Sequence, residues 1–207
     1  MTQQERDTYQ SVAGHSEGLY KEKGSKFIAH AWPVSNQDEI KARLEELRKQ
    51  YYDARHHCYA WQLGKEGQPY RANDDGEPNH SAGDPILGQL RSFNVSDVLV
   101  VVVRYFGGTK LGVSGLINAY RTAAAEALEA ATIVTKVLSQ ERGFTFQYPE
   151  MNEVMKLVKD FDLEIIAQDF AMSCAMTLRI RERDLVLVQD KLSKIDGLTF
   201  DEDEPNV

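Results

Sequence analysis

Apolar residues recur with two different spacings along this chain, and the switches between them mark out its elements. Lys26-Phe27-Ile28-Ala29-His30-Ala31-Trp32 reads as a strand closed by Pro33. Ile40, Leu44, Leu47 and Tyr51 then follow at the helical spacing, with Ser35 as the expected cap and Asp38 near the positive helix end. His57, Tyr59, Trp61 and Leu63 alternate with Cys58, Ala60 and Gln62, which predicts a strand with one bulky and one small face. Residues 64–81 are almost all turn formers, and so long a loop in a compact domain is usually functional or mobile. Asp84-Pro85 marks a helix start, with Ile86, Leu87, Leu90 and Phe93 on its inner face. Val98–Val103 is an unbroken aliphatic run, the mark of a strand buried on both faces. A helix over Leu116, Tyr120, Ala123, Ala124, Ala127, Leu128 and Ala131 comes next, its alanines allowing close approach to a sheet. Residues 132–138 close the region as a strand, and residues 1–15 read as a loose polar lead.

The pattern then restarts. Strands over Gly143–Tyr148, Leu163–Phe170, Ala175–Arg181 and Leu198–Phe200 alternate with helices opened by Pro149 and Asp184. The order β-α-β-β-α-β in about sixty residues is that of a ferredoxin-like unit. The fold class is therefore α+β: a βαβ domain over 1–138 and a ferredoxin-like domain over 142–203, with the boundary near Ser139–Arg142.

Composition narrows what such a chain does. Its 207 residues suit one large or two small domains, and the net charge of −8 excludes a protein that is basic all over. Residues 1–130 carry 15 Lys and Arg against 17 Asp and Glu, whereas residues 131–207 carry 9 against 15. An anionic partner is thus better sought in the first part, and the run Asp201-Glu202-Asp203-Glu204 reads as a solvated acidic end. Cys58 and Cys174 form neither a disulfide framework nor a CxxC pair, so both are expected to be reduced thiols of a cytoplasmic protein. The first 25 residues lack a signal peptide's apolar core, and no run is long enough to span a bilayer, so no membrane partner is expected.

Four clusters can carry chemistry. Gly107, Gly108, Gly112 and Gly115 lie between the buried strand and the alanine-rich helix, with Arg104 and Lys110 beside them. Backbone N–H groups at a helix start attract anions, although neither nucleotide-binding glycine motif is present. A tight structural turn explains the glycines equally well. Asp53-Ala54-Arg55-His56-His57-Cys58 combines imidazoles and a thiol, but it has too few ligands on one face for structural zinc, so no metal is expected there. The loop cluster Asp74, Asp75, Glu77 and His80 can serve as acid and base or simply fold a set of turns, as can His56 nearby. Arg179, Arg181 and Arg183 alternate at a strand end, as a phosphate-binding stripe or a solvated face.

Several of these blocks together resemble the IMPACT family. The resemblance rests on Lys23-Gly24-Ser25-Lys26-Phe27, on Asp53 to Trp61, on Asp74-Asp75-Gly76-Glu77-Pro78 with Gly83, and on Arg104-Tyr105-Phe106-Gly107-Gly108 followed by Leu111-Gly112 and Ala119-Tyr120. It implies a first domain similar to the second domain of a small-subunit ribosomal protein and a second similar to a C-terminal domain of elongation factor G. Eukaryotic relatives regulate translation through an initiation-factor kinase, using a further N-terminal domain that this chain is expected to lack. That kinase role is therefore not carried over.

The favoured reading is a non-enzymatic regulator that binds RNA, the ribosome or a translation factor and needs no cofactor. Its expected anion-binding residues are Arg55, Arg104, Tyr105, Gly107, Gly108, Lys110, Gly112 and Arg121. One alternative is an enzyme acting on a phosphate-bearing or RNA substrate through His56, Asp74, Asp75, Glu77 and His80. The other is a protein-binding module that docks through the ferredoxin-like sheet.

Overall fold

The computed structural model describes residues 7–170 and 173–201. Two compact units emerge: Tyr9–Lys136, and the chain from Val137 onward together with Asp7 and Thr8. Ser139–Arg142, the expected boundary, open the first strand of the second unit. Residues 1–6 and Glu202–Glu204 of the acidic end lie outside the described residues.

The larger unit runs β1 (Thr8–Val12), β2 (Ser16–Glu22), β3 (Ser25–Pro33), α1 (Gln37–Gln50), β4 (His56–Gln62), β5 (Tyr70–Asn73), α2 (Gly83–Ser92), β6 (Val98–Tyr105), α3 (Gly112–Glu129) and β7 (Ile133–Val137). Strands β2-β3-β6-β4-β5 form one sheet in that order, and every neighbouring pair is antiparallel. Because β3 and β4 both oppose β6, they run parallel to each other with β6 between them. The units β3-α1-β4 and β5-α2-β6 are thus the expected βαβ units, each split by an intervening strand. The aliphatic run of β6 sits at the centre, and its residues alternate between two cores. Val98, Val100 and Val102 face α2 and α3, while Leu99 and Val101 face α1.

The two faces of β4 explain the bulky and small alternation. Cys58 and Ala60 lie under α2 and α3, where the buried alanines of α3 (Ala119, Ala123, Ala124, Ala127) bring the helix close. Tyr59 and Trp61 join Trp32, Ile40, Leu44 and Leu47 on the other face, where the single helix α1 leaves more volume to fill.

Some local expectations are corrected. Asn36, not Ser35, caps α1 by accepting from the N–H groups of Asp38 and Glu39. The polar lead contains β1, which pairs with β7, and β2 was absent from the hydrophobic pattern because it alternates only weakly. The turn-rich loop holds β5, a short edge strand.

The second unit runs β8 (Ser139–Phe146), a 3-10 turn (Tyr148–Glu150), α4 (Met151–Asp160), β9 (Glu164–Phe170), β10 (Cys174–Arg181), α5 (Glu182–Leu192) and β11 (Thr199–Phe200). Its sheet order, β11-β8-β10-β9, is the ferredoxin-like one, with the first and third strands central. Cys174, Met176, Leu178 and Ile180 of β10 pack inward with Phe144, Phe146, Val154, Val188 and Leu192. The arginine row is already neutralised. Arg179 bridges Glu141 at 2.9 Å and Glu164 at 2.8 Å, and Arg181 holds buried Asp7 through two hydrogen bonds. Arg183 pairs with Asp184 at 3.1 Å. No described helix is long and apolar enough to cross a membrane.

Candidate functional site

The acidic loop spends its carboxylates on its own fold. Asp74 Oδ1 accepts from the N–H of Ala82 at 2.9 Å and of Gly83 at 2.8 Å, and Oδ2 accepts from His80 N–H at 2.9 Å. It therefore clamps the loop and satisfies the first backbone N–H groups at the start of α2. Burial alone would raise the Asp74 carboxyl, but these donors hold it below the usual carboxylate range. Asp75 Oδ2 accepts from His57 N–H at 2.7 Å, and the Asp75 carbonyl accepts from His56 Nδ1 at 2.9 Å, which ties the loop to the start of β4. His80 Nδ1 lies 2.6 Å from Asp84 Oδ2 on the exposed side.

Glu77 reaches inward instead. Arg104 Nη1 donates to Glu77 Oε1 at 2.6 Å, and Tyr120 Oη donates to the same oxygen at 2.8 Å. Both charged side chains are buried, 4% and 8% exposed, which corrects the expectation that Arg104 meets a phosphate. Its guanidinium lies over Phe27 and Phe106 at 5.5 and 5.7 Å. Cys58 Sγ lies 2.9 Å from the Asp74 carbonyl and 3.3 Å from Tyr120 Oη. Burial pushes both the Cys58 thiol and the Tyr120 phenol well up, so each keeps its proton and neither is an activated nucleophile or base. The loop and the glycine turn thus do come together, through Glu77, Arg104 and Tyr120, as a buried brace.

His57 faces α1 and is also buried, with Nε2 lacking a partner among the described residues. Burial lowers its pKa from the ordinary 6.5, with only partial opposition from Asp75. The unfolded chain therefore takes up this proton before the native one does, and His57 costs stability as the pH falls below about 6.5. A lower denaturation midpoint at pH 5 than at pH 8 is expected, and a His57→Gln variant that folds should show a shallower decline.

Above the brace lies the exposed surface. Gly107 N–H donates to Ser25 Oγ at 3.0 Å, so the turn rests on the β2–β3 hairpin. A Cβ on Gly107 would fall 1.9 Å from the Gly24 carbonyl carbon, an approach only glycine permits. Gly108 and Gly112 instead have φ of +88° and +72° with open space around them. Phe106, Gly107, Gly108, Thr109 and Lys110 are all exposed, Phe106 by 58%. Helix α3 begins at Gly112 with no side-chain cap. Register pairs His56 with Arg104 and Lys26 with Tyr105, so Arg55, one residue before His56, falls at the same sheet end. Tyr105 Oη donates to Asp53 at 2.7 Å, and this bond, aided by burial, pushes its phenol up to about 12.

Lys23 and Lys26 are exposed on the hairpin against which Gly107 packs, and Arg55 and Lys110 are exposed beyond the same sheet end, at the start of β4 and after β6; Lys26, alternating with buried Phe27, stands on the α1 face. None of these four is ion-paired among the described residues. The hydrophobic pattern did not reveal Lys23 as a site residue, because β2 and its turn were needed to place it. Arg121 is exposed but nine residues along α3, roughly 13 Å from the helix start at 1.5 Å per residue.

Residues 23–128, which hold the loop, the brace and the turn, match the model of the Impact N-terminal domain. The IMPACT family member YvyE of Bacillus subtilis (strain 168) is 39% identical over 130 residues, covering 63% of this chain and 60% of that protein. The IMPACT family member YigZ of Escherichia coli (strain K12) is 36% identical over 150 residues, covering 72% and 74%. A crystal structure described as that of a hypothetical protein superposes with a TM-score of 0.69 at 29% identity, over 96% of this chain and 99% of the other. By the matched domain and by these relatives, the chain belongs to the IMPACT family.

Proposed function

We propose that this protein is a non-enzymatic, translation-associated regulator that binds RNA in the cytoplasm through the surface around its glycine turn. The observation that carries the reading is that Phe106, Lys110, Lys23 and Arg55 are all exposed at the sheet end from which the turn leads into the uncapped start of α3. Uncapped backbone N–H groups and unpaired cations hold phosphate, and an exposed aromatic ring offers a stacking face for an unpaired base. The buried brace of Glu77, Arg104 and Tyr120 supports this surface without competing for the ligand.

The enzyme alternative finds less support. Asp74, Asp75 and Glu77 are occupied by backbone donors, an ion pair and a phenol, and the one thiol nearby is buried and protonated. The role in translation comes from the family resemblance. Net charge elsewhere is acidic, so this surface acts locally and is strongly salt-sensitive.

Titration of the purified chain with single-stranded RNA across a salt series tests this. With about three phosphate contacts the affinity should fall roughly tenfold or more between 50 and 200 mM salt, in line with counterion release. Affinity that does not change with salt, or no binding at low salt, contradicts it.

A further inference from the structure

A second constellation lies on the opposite face of the same sheet. Glu17 of β2 is the register partner of His30 in β3, and His15 is two residues before Glu17, so all three side chains share one face. Trp32, two residues beyond His30, continues that face, and α1 covers it. The strands bring three donor atoms together. His15 Nε2 lies 3.0 Å from His30 Nδ1 and 3.7 Å from Glu17 Oε1, and His30 Nδ1 lies 3.4 Å from Glu17 Oε1.

Those separations form a triangle of the size a tetrahedral metal requires. With metal–ligand bonds of about 2.1 Å, the edge of a tetrahedron is about 3.4 Å. The observed edges bracket that value, so sub-ångström adjustments seat an ion. His30 is nearly fully buried, and its other nitrogen, Nε2, lies 3.0 Å from Tyr51 Oη. A proton on Nε2 donated to Tyr51 leaves Nδ1 free to ligate, the arrangement by which outer partners fix a ligand's tautomer. The imidazole of His15 stacks on Trp32 at 4.6 Å, which fixes its plane as well. The three donors line a cavity of about 470 Å³ with Trp32, Arg43 and Glu46. Arg43 does not repel an ion strongly, since its guanidinium pairs with Glu46 at 2.9 Å.

We propose that His15, Glu17 and His30 form a binding site for a divalent transition metal, with Zn²⁺ as the fitting ion. Two imidazoles and one carboxylate select a borderline ion over Mg²⁺ or Ca²⁺, which take oxygen ligands. Three protein ligands leave a fourth position toward the cavity, which water or a small anionic ligand fills. No zinc motif in the sequence marks the site, because its ligands come from β2, the residue just before it and β3 rather than from one helix or knuckle. It shares no residue with the proposed RNA surface, so the two readings stand or fall separately.

Calorimetric titration of the full chain with ZnCl₂, beside Co²⁺ titration read by visible absorption, tests the site. One Zn²⁺ per chain at micromolar affinity or tighter is expected, with the intense spectrum of four-coordinate Co²⁺. His15→Ala and Glu17→Gln, whose side chains are well exposed at 41% and 61%, should fold normally and weaken Zn²⁺ binding at least tenfold. Tyr51→Phe should weaken it less. No saturable Zn²⁺ binding by the wild type, or equal affinity in His15→Ala and Glu17→Gln, overturns the proposal. A weak Co²⁺ spectrum of octahedral type, unchanged by those substitutions, does so too and leaves only a histidine–histidine hydrogen bond.

Discussion

Glu77→Ala should be among the most destabilising single substitutions in this chain, at about 3 to 5 kcal/mol. Glu77 accepts from both Arg104 and Tyr120, and all three side chains are buried. Truncation leaves the Arg104 charge in the interior with no counter-ion and strands the Tyr120 hydroxyl beside Cys58. Glu77→Gln keeps an acceptor at the same place but loses the charge, so its cost should be smaller. The double variant Glu77→Leu with Arg104→Met removes both charges and should lose less than Glu77→Ala, because no ion remains unpaired. Urea denaturation of the three variants checks the order. If Glu77→Ala unfolds at the wild-type midpoint, the ion pair is not a structural brace.

The second large effect concerns the glycine pair in the turn. Gly107→Ala should cost about 3 kcal/mol or more, because its Cβ would meet the Gly24 carbonyl carbon at 1.9 Å and the Ser25 nitrogen at 2.1 Å. Both obstacles are backbone, so the hairpin must move away as a whole. Its neighbour fails differently. Gly108 has open space around it but a φ of +88°, so Gly108→Ala should cost about 1 to 2 kcal/mol, the usual penalty for a side chain in left-handed backbone. Thermal denaturation of the two variants should separate them clearly. Equal losses would mean that the turn does not rest on Gly24.

Much of the architecture was legible in the sequence because burial imposes strict periods. The aliphatic run of β6 announced a strand buried on both faces, and the alternation across Cys58–Trp61 announced a strand with one bulky and one small face; the fold turns these into a central strand between two cores. Strands β1, β2 and β5 were missed for one shared physical reason: they have only one well-buried face or none, and their residues are polar enough to read as lead or loop. The site was legible in composition but not in role. Glu77, Arg104 and the Asp74–His80 loop stood out as charged residues among turn formers, the same signal that a catalytic or phosphate-binding cluster gives. Only the fold shows that Arg104 points into the core and that Asp74 closes its own loop. Tyr120 looked like one more residue of an apolar stripe, and nothing local distinguishes a phenol that packs from one that also donates to a buried carboxylate. The grouping of His15, Glu17 and His30 depends on strand register, which the sequence of β2 does not specify.

The brace also decides how the central claim must be tested. Arg104→Glu would place a second acid against Glu77 in the interior, so loss of binding in that variant would report unfolding. The exposed cations are the proper targets. The most direct measurement is single-stranded RNA binding at low salt by the wild type and by a Lys110→Glu, Arg55→Glu double variant, with both shown to be folded by circular dichroism. The account predicts that the wild type binds and that the folded double variant loses at least tenfold in affinity. Equal affinity for the two proteins would contradict it, and would place any RNA contact away from the glycine turn.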